Sequence, residues 1–511
     1  MQRTAANNLY NRHEMNLSAS ITSESSKLHG RQLRRALGFV TLAWIFGSAW
    51  AAATSGAALT RFAQGLGANE FQFGLLAALP FIASLLSIPS GIWIDRTGRR
   101  KGIFLWGLYA QRLLWVPIAL APIYILGRFG WTAAPRAMQL FLLLIFLMYA
   151  VGAIRGPGWT SWMADLVPRR SYGTYFSRRR QWGILTAIPA ALIAGWGLDR
   201  VVPGDAHVQT LVSLRWCAII FLCAAVLGVA DIHMHQYVPG LPAAPKKKSH
   251  PFRMMAEPLR NRQFLVFACF VATLTFAVSF MGQFVTLYLI AKLRVTNLSV
   301  NLITLVAPSL AQLAVLPVWG RATDRMGKKP VMAIASLGLV PVGFGWCLMN
   351  NAQGAAVWLG YALSAVGAGL WTGVEVANNN LVLEFAGGDD QCAPKGSSFV
   401  AANSVIINIA GCLGGLTSGL IGQALRDWSW RPQFLAHVLH LGPITFYEVL
   451  FALSGVTRLL AVVIFLPFLH EPKAQPAGEA LRFMTSNIYS NFFNAVGWPL
   501  RAMRWGRPEI K

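Results

Sequence analysis

Long apolar runs follow one another along almost the whole chain, separated by short polar turns. A helix needs about 20 mostly apolar residues to cross the hydrocarbon layer of a bilayer. Twelve such runs can be drawn, roughly at 37–60, 71–94, 102–126, 138–164, 181–201 and 213–236, then at 264–290, 299–322, 330–349, 354–383, 398–424 and 446–469. Between the sixth and seventh lies "YVPGLPAAPKKKSHPFRMMAEPLRNRQ", rich in proline and bases, which breaks the helical pattern and reads as a linker. The pattern predicts an all-α polytopic membrane protein. Its parts are a tail at 1–36, a six-helix half at 37–236, the linker at 237–263, a second half at 264–470 and a basic tail at 471–511.

Composition agrees. Hydrophobic residues make up 55% of the 511 positions and charged residues 12%, about half the charged share of a soluble protein. The formal net charge of +25 brings nucleic acid to mind, yet no basic stretch lies on a nucleic-acid-reading module. The bases instead gather in alternate loops. With the N-terminus inside, the inner segments hold Arg96, Arg99, Arg100, Lys101, Arg169, Arg170, Arg178, Arg179, Arg180, the Lys246–Lys248 run, Arg321, Arg325, Lys328 and Lys329, while the outer loops hold few. That asymmetry places both termini in the cytoplasm and the chain in a plasma (inner) membrane.

Cys217, Cys223, Cys269, Cys347 and Cys412 fall in apolar runs and Cys392 in a polar loop, without metal-ligand spacing or a disulfide framework. The first 35 residues lack the apolar core of a signal peptide. No nucleotide-binding loop, zinc motif or catalytic-triad spacing is present, so neither an enzyme nor a cofactor is expected.

One charged phrase occurs twice. "GIWIDRTGRR" carries Gly91, Asp95, Arg96, Gly98, Arg99 and Arg100, and "GRATDRMGKK" carries Gly320, Asp324, Arg325, Gly327, Lys328 and Lys329 at identical spacing. The copies fall between spans two and three and between spans eight and nine. "AVGA" recurs in register at Ala150–Ala153 and Ala365–Ala368, as internal repeats do in transporter folds. Gly98 and Gly327 suit tight turns that a Cβ would strain, and Gly91 and Gly320 suit close approach of a neighbouring helix.

This pair of loops resembles the cytoplasmic signature of the major facilitator superfamily, over about residues 35 to 472. The resemblance implies two pseudo-symmetric six-helix halves that rock about a central site. It also implies an inner gate. Asp95 would face the start of span eleven at Ser397–Ser398, and by pseudo-symmetry Asp324 would face Thr174–Ser177. A carboxylate near a helix N-terminus gains about 0.3–2 kcal/mol. Arg99 would reach Asp165 and Lys328 would reach Glu384, all while the cytoplasmic face is shut.

An ionisable residue at mid-bilayer costs about 2.5–3.5 kcal/mol on insertion scales and marks a functional candidate. Arg155 on span four and Glu375 on span ten qualify, and the resemblance sets both spans on the central cavity, where the two could face each other. Arg112 and Arg458, on spans usually peripheral, suit structural roles. Helical spacing joins Trp159 to Arg155, and Trp371, Asn378 and Asn379 to Glu375; Gln283 shares a face of span seven with Phe276 and Phe280. Aromatic walls with a few convergent polar groups suit a small ligand. Glu375 is also the candidate proton-coupling carboxylate, because burial raises a Glu pKa toward neutrality; against it stand the opposite charge of Arg155 and the lack of an acid on span one.

The reading is a secondary transporter of a small organic solute, leaning to a polar metabolite such as a sugar. Expected partners are that solute, the lipid bilayer and a proton or another coupling ion, with the chain monomeric and Gly411, Gly415 and Gly419 packing within it. Two alternatives stand: an exporter of amphipathic compounds, and a non-transporting sensor that kept the fold. Span five lacks the compact glycine–proline run of the family's antiporters, which leans toward uptake.

Overall fold

The structure is a computed structural model, and it describes residues 30–168, 171–201, 211–240, 258–349, 355–386, 396–431 and 442–469, with 478, 479 and 482. Among the described residues, twelve helices are long and apolar enough to cross a membrane. Spans one to six are Gly30–Ala53, Glu70–Thr97, Arg100–Phe129, Trp131–Leu166, Tyr172–Val201 and Leu211–Gln236. Spans seven to twelve are Arg262–Lys292, Asn297–Met326, Lys328–Leu348, Val357–Phe385, Ser398–Ala424 and Phe446–Phe468. The chain is an all-α integral membrane protein.

Local chemistry sets the ends. Asn69 and Gln72 form a capping box that starts span two, and Thr445 and Glu448 form another that starts span twelve, each satisfying two backbone donors that a helix start leaves open. Gly98 ends span two in the left-handed region, at φ 65°, which a side chain would disfavour. Span five departs most from its expected bounds. Its helix begins at Tyr172, so Arg178, Arg179 and Arg180 belong to the membrane-spanning helix and not to a loop.

The halves meet at the face opposite the two charged loops, called here the far face; the face carrying those loops is the basic face. Span two packs on span eleven so closely that a Cβ on Gly74 would lie 2.4 Å from the Gly419 Cα. Gly415 is held likewise against Ala78, so this part of the glycine stripe joins the two halves within one chain. Span five packs on the start of span eight, where a Cβ on Gly195 would sit 2.7 Å from the Leu298 Cα. Towards the basic face, the last turns of span two pack on span four.

Candidate functional site

The far face is closed by hydrogen bonds that cross between the halves. Asp199, near the end of span five, accepts from the Asn297 backbone N–H at 2.6 Å, from its side-chain amide at 2.8 Å and from the Leu298 N–H at 2.9 Å. These are first-turn donors of span eight, which have no partner within their own helix. Arg61, on the short helix Gly56–Gly65, donates to Asn297 Oδ1 at 2.9 Å. Asn301 accepts from the Ala57 N–H and donates to the Ala191 carbonyl, both at 2.9 Å. Arg61, Asn297 and Asn301 are fully buried. Burial pulls the Arg61 guanidinium below its ordinary range, and the negative charge of Asp199 acts the other way.

Within the first half a second polar cluster is buried among spans one, three, four and six. Arg112 donates to Asp231 at 2.7 Å, and its guanidinium lies 3.4 Å from the Trp50 ring centroid. His235, one turn on, is 3.2 Å from the same carboxylate. Glycines make the room: a Cβ on Gly228 would fall 2.6 Å from Arg112 Cδ, and one on Gly47 2.9 Å from Asp231 Oδ2. Arg112 thus has the structural setting its peripheral span suggested. Arg458 is likewise engaged in its own half, donating to the Leu339 carbonyl at 2.8 Å.

Arg155 and Glu375 do not face each other in this structure. Arg155 turns towards span three, donates to Gln111 at 2.8 Å and lies 5.6 Å from the Phe104 centroid. Glu375 is exposed in span ten and accepts from Trp371 Nε1 at 3.0 Å. The basic group acting on it is Arg180, which reaches across the halves to Gln312 of span eight at 2.9 Å. The expected pairing of Arg155 with Glu375 gives way because the guanidinium finds a closer acceptor within its own half.

Two cavities open around these groups. One of about 300 Å³ lies between spans one, five and eight, and is lined by Trp44, Ser48, Ser55, Arg180, Ser309 and Gln312 among others. The other, about 390 Å³, lies between spans ten and eleven; its polar lining is Asn378, Asn379, Asn403, Ser404 and Asn408. Asn403 donates to Asn378 at 3.3 Å. Trp159 meets Phe176 edge-on and lies 4.8 Å from the Arg179 guanidinium. Gln283 is half-buried on span seven and lines neither cavity.

The charged loops are arranged differently from the expected gate. Asp165 pairs with Arg100, not Arg99, and Lys328 pairs with Glu384. Both pairs lie within one half, so they hold whether or not the halves close on each other. Asp324 is exposed and forms no hydrogen bond with Thr174–Ser177 among the described residues. A Cβ on Gly320 would meet only open space, and one on Gly91 ordinary contact with Pro157 at 3.8 Å. Neither glycine brings a helix of the other half close, because the halves pack at the far face. Ser397, half of the expected partner pair of Asp95, lies outside the residues whose side chains are described.

Sequence reasoning missed Arg179, Arg180, Gln312 and the far-face set. The three arginines at 178–180 lower the local apolarity, which pushed the start of span five past them. The interleaved aromatics of "YGTYFSRRRQWG" are the signal that the helix begins earlier.

Two six-helix halves, closed at one face around central polar groups, define a membrane transporter of the alternating-access type. Residues 39–419 match the model of the Major Facilitator Superfamily, and the chain belongs to that family. No curated protein matches the sequence. Among solved structures it is similar in fold to a variant of the nucleoside transporter NupG, with a TM-score of 0.61 at 13% identity, covering 86% of this chain and 100% of the other. It is also similar to a bacterial homologue of the iron transporter ferroportin in its inward-facing state (0.57, 17%, 86% and 99%) and to a D-xylose–proton symporter (0.57, 14%, 87% and 98%). Among the described residues no cluster of three or more His, Cys, Asp or Glu could hold a metal ion.

Proposed function

We propose that this chain moves a small polar organic solute across a plasma (inner) membrane, with both termini in the cytoplasm, and that the conformation described here is open to the cytoplasm. The observation that carries the reading is the Arg180–Gln312 contact, which spans the halves beside a cavity. A site made by both halves is one that a rocking motion must alter. The Asn378–Asn408 wall supplies amide groups, and Trp44 in the other cavity an aromatic face, of the kind that recognise a polar metabolite. Fold relatives named for nucleoside and D-xylose transport are in keeping with a solute of that size.

Within this reading, Glu375 carries the coupling proton. It is an acid of span ten that accepts from Trp371 and lies in the field of Arg180. Asp324 becomes an inter-half contact only when the basic face shuts. Purified protein in proteoliposomes tests the whole: loaded vesicles should exchange labelled solute, and an inward proton gradient should drive its accumulation. Absence of exchange for sugars, nucleosides, organic acids and amino acids alike would overturn the reading.

A further inference from the structure

Among the described residues, positive charge inside the first half outweighs negative. The described acids of that half are Glu70, Asp95, Asp165, Asp199 and Asp231. Asp199 and Glu70 serve the far face, Asp165 serves Arg100, and Asp95 sits in the charged loop. Only Asp231 lies deep, and Arg112 and His235 already hold it. Two more guanidinium groups, Arg155 and Arg179, lie within its electrostatic reach, yet no ion pair among the described residues involves either one.

Arg179 is the more telling of the two. Its guanidinium lies 4.2 Å from the Trp44 centroid and 4.8 Å from the Trp159 centroid, and its Nε is buried without an acceptor. Arg179 is half-buried, and stacking on indole faces attracts its charge without supplying an acceptor for the buried Nε–H. Indole faces also accept none of the in-plane N–H groups. Those five donors form the rigid fork that takes a carboxylate or phosphate two-pronged. The indole Nε1 of Trp44 is likewise buried without a partner, and the same ring walls the 300 Å³ cavity.

From this surplus we propose that the transported solute is a small organic anion. Arg179 binds its carboxylate or phosphate group, Arg155 adds the second positive charge, and the body of the solute lies in the Trp44 cavity. The proposal rests on the transport reading above and narrows it from a polar solute to a negatively charged one.

The test is thermal stability and exchange with matched pairs: gluconate against glucose, glucose 6-phosphate against glucose, and benzoate against benzamide. At millimolar concentration at least one anion should raise the melting temperature where its neutral partner does not. Arg179→Gln should weaken that binding roughly ten- to hundredfold, the worth of a hydrogen bond to a charged group. Arg179→Lys should restore part of it, by keeping the charge without the fork. If Arg179→Gln does not fold, Arg155→Gln carries the same expectation.

Stabilisation by neutral members as strong as by anions, or by no anion at all, overturns the proposal. So does undiminished anion binding in the folded Arg179→Gln protein. The two readings separate in proteoliposomes. Exchange of neutral solutes alone would sink the anion site and keep the transporter, whereas anion binding with no exchange of any member would do the reverse.

Discussion

Asp199 caps the first turn of span eight: one carboxylate oxygen accepts the Asn297 N–H at 2.6 Å and the other the Leu298 N–H at 2.9 Å. The charge belongs to one half and the helix end to the other, so the contact exists only while the far face is closed. It uses the physics expected of Asp95 and Asp324, a carboxylate at a helix N-terminus, at the opposite membrane face.

Asp199→Asn should therefore release the far face. Loss of the charged acceptor should cost the closed state about 1–3 kcal/mol, a large fraction of a typical conformational gap. Spin labels at Thr132→Cys and Asp427→Cys, exposed on the two halves, should show a longer mean distance in the Asp199→Asn background. An unchanged distance distribution would mean that glycine packing alone holds the face shut.

The Arg112–Asp231 pair should behave as a buried salt bridge. Removing one partner strands the other and costs about 3–5 kcal/mol, while removing both is far less harmful. Arg112→Leu and Asp231→Leu should each lower the melting temperature of the purified protein, and the double variant should recover much of the loss. If the double variant is as unstable as the sum of the singles, the pair is not self-neutralising and His235 or Trp50 carries more of the cluster.

Glu375→Gln keeps shape and hydrogen bonding and removes the charge. In proteoliposomes it should retain solute exchange but lose pH-driven accumulation. Wild-type accumulation by this variant would exclude Glu375 as the coupling group and direct attention to Asp231.

Topology is tested by single cysteines in a cysteine-free background. Lys247→Cys should react with an impermeant reagent only from the cytoplasmic side, and Thr132→Cys only from outside. The reverse pattern would invert the orientation, and the far face would then be the cytoplasmic one.

Asp95→Asn and Asp324→Asn should leave the fold and melting temperature intact yet slow transport, because closing of the basic face must bring each charged loop against the other half. Normal transport by both would reduce the paired loops to topological anchors.

Much of the architecture was legible in the chain. Apolar run length set twelve spans, since bilayer thickness leaves a helix little freedom of length, and the doubled Gly-Asp-Arg-Gly phrase marked the two halves. The pairing of Lys328 with Glu384 is the one the family resemblance implied, whereas the partner of Asp165 proved to be Arg100 and not its neighbour Arg99. Periodicity cannot resolve which of two adjacent bases on a turn points at a given acid.

The site was less legible. Hydropathy ended span five's polar lead-in at residue 181, yet aromatic packing around Tyr172, Tyr175 and Phe176 carries the helix back to Tyr172 and draws Arg179 and Arg180 into the membrane. Arg155 and Glu375 were paired by depth, but depth gives no azimuth; Gln111 and Trp371 supplied nearer partners. What the sequence by itself determined is the set of properties that depend on local composition: the number of spans and the repeated charged phrase. Which face is closed, and which charge meets which, depends on how two rigid halves lean against each other. That choice is made by contacts such as Gly74 on Gly419 and Asp199 on Asn297, between residues far apart in the chain, and only the tertiary structure brings them together.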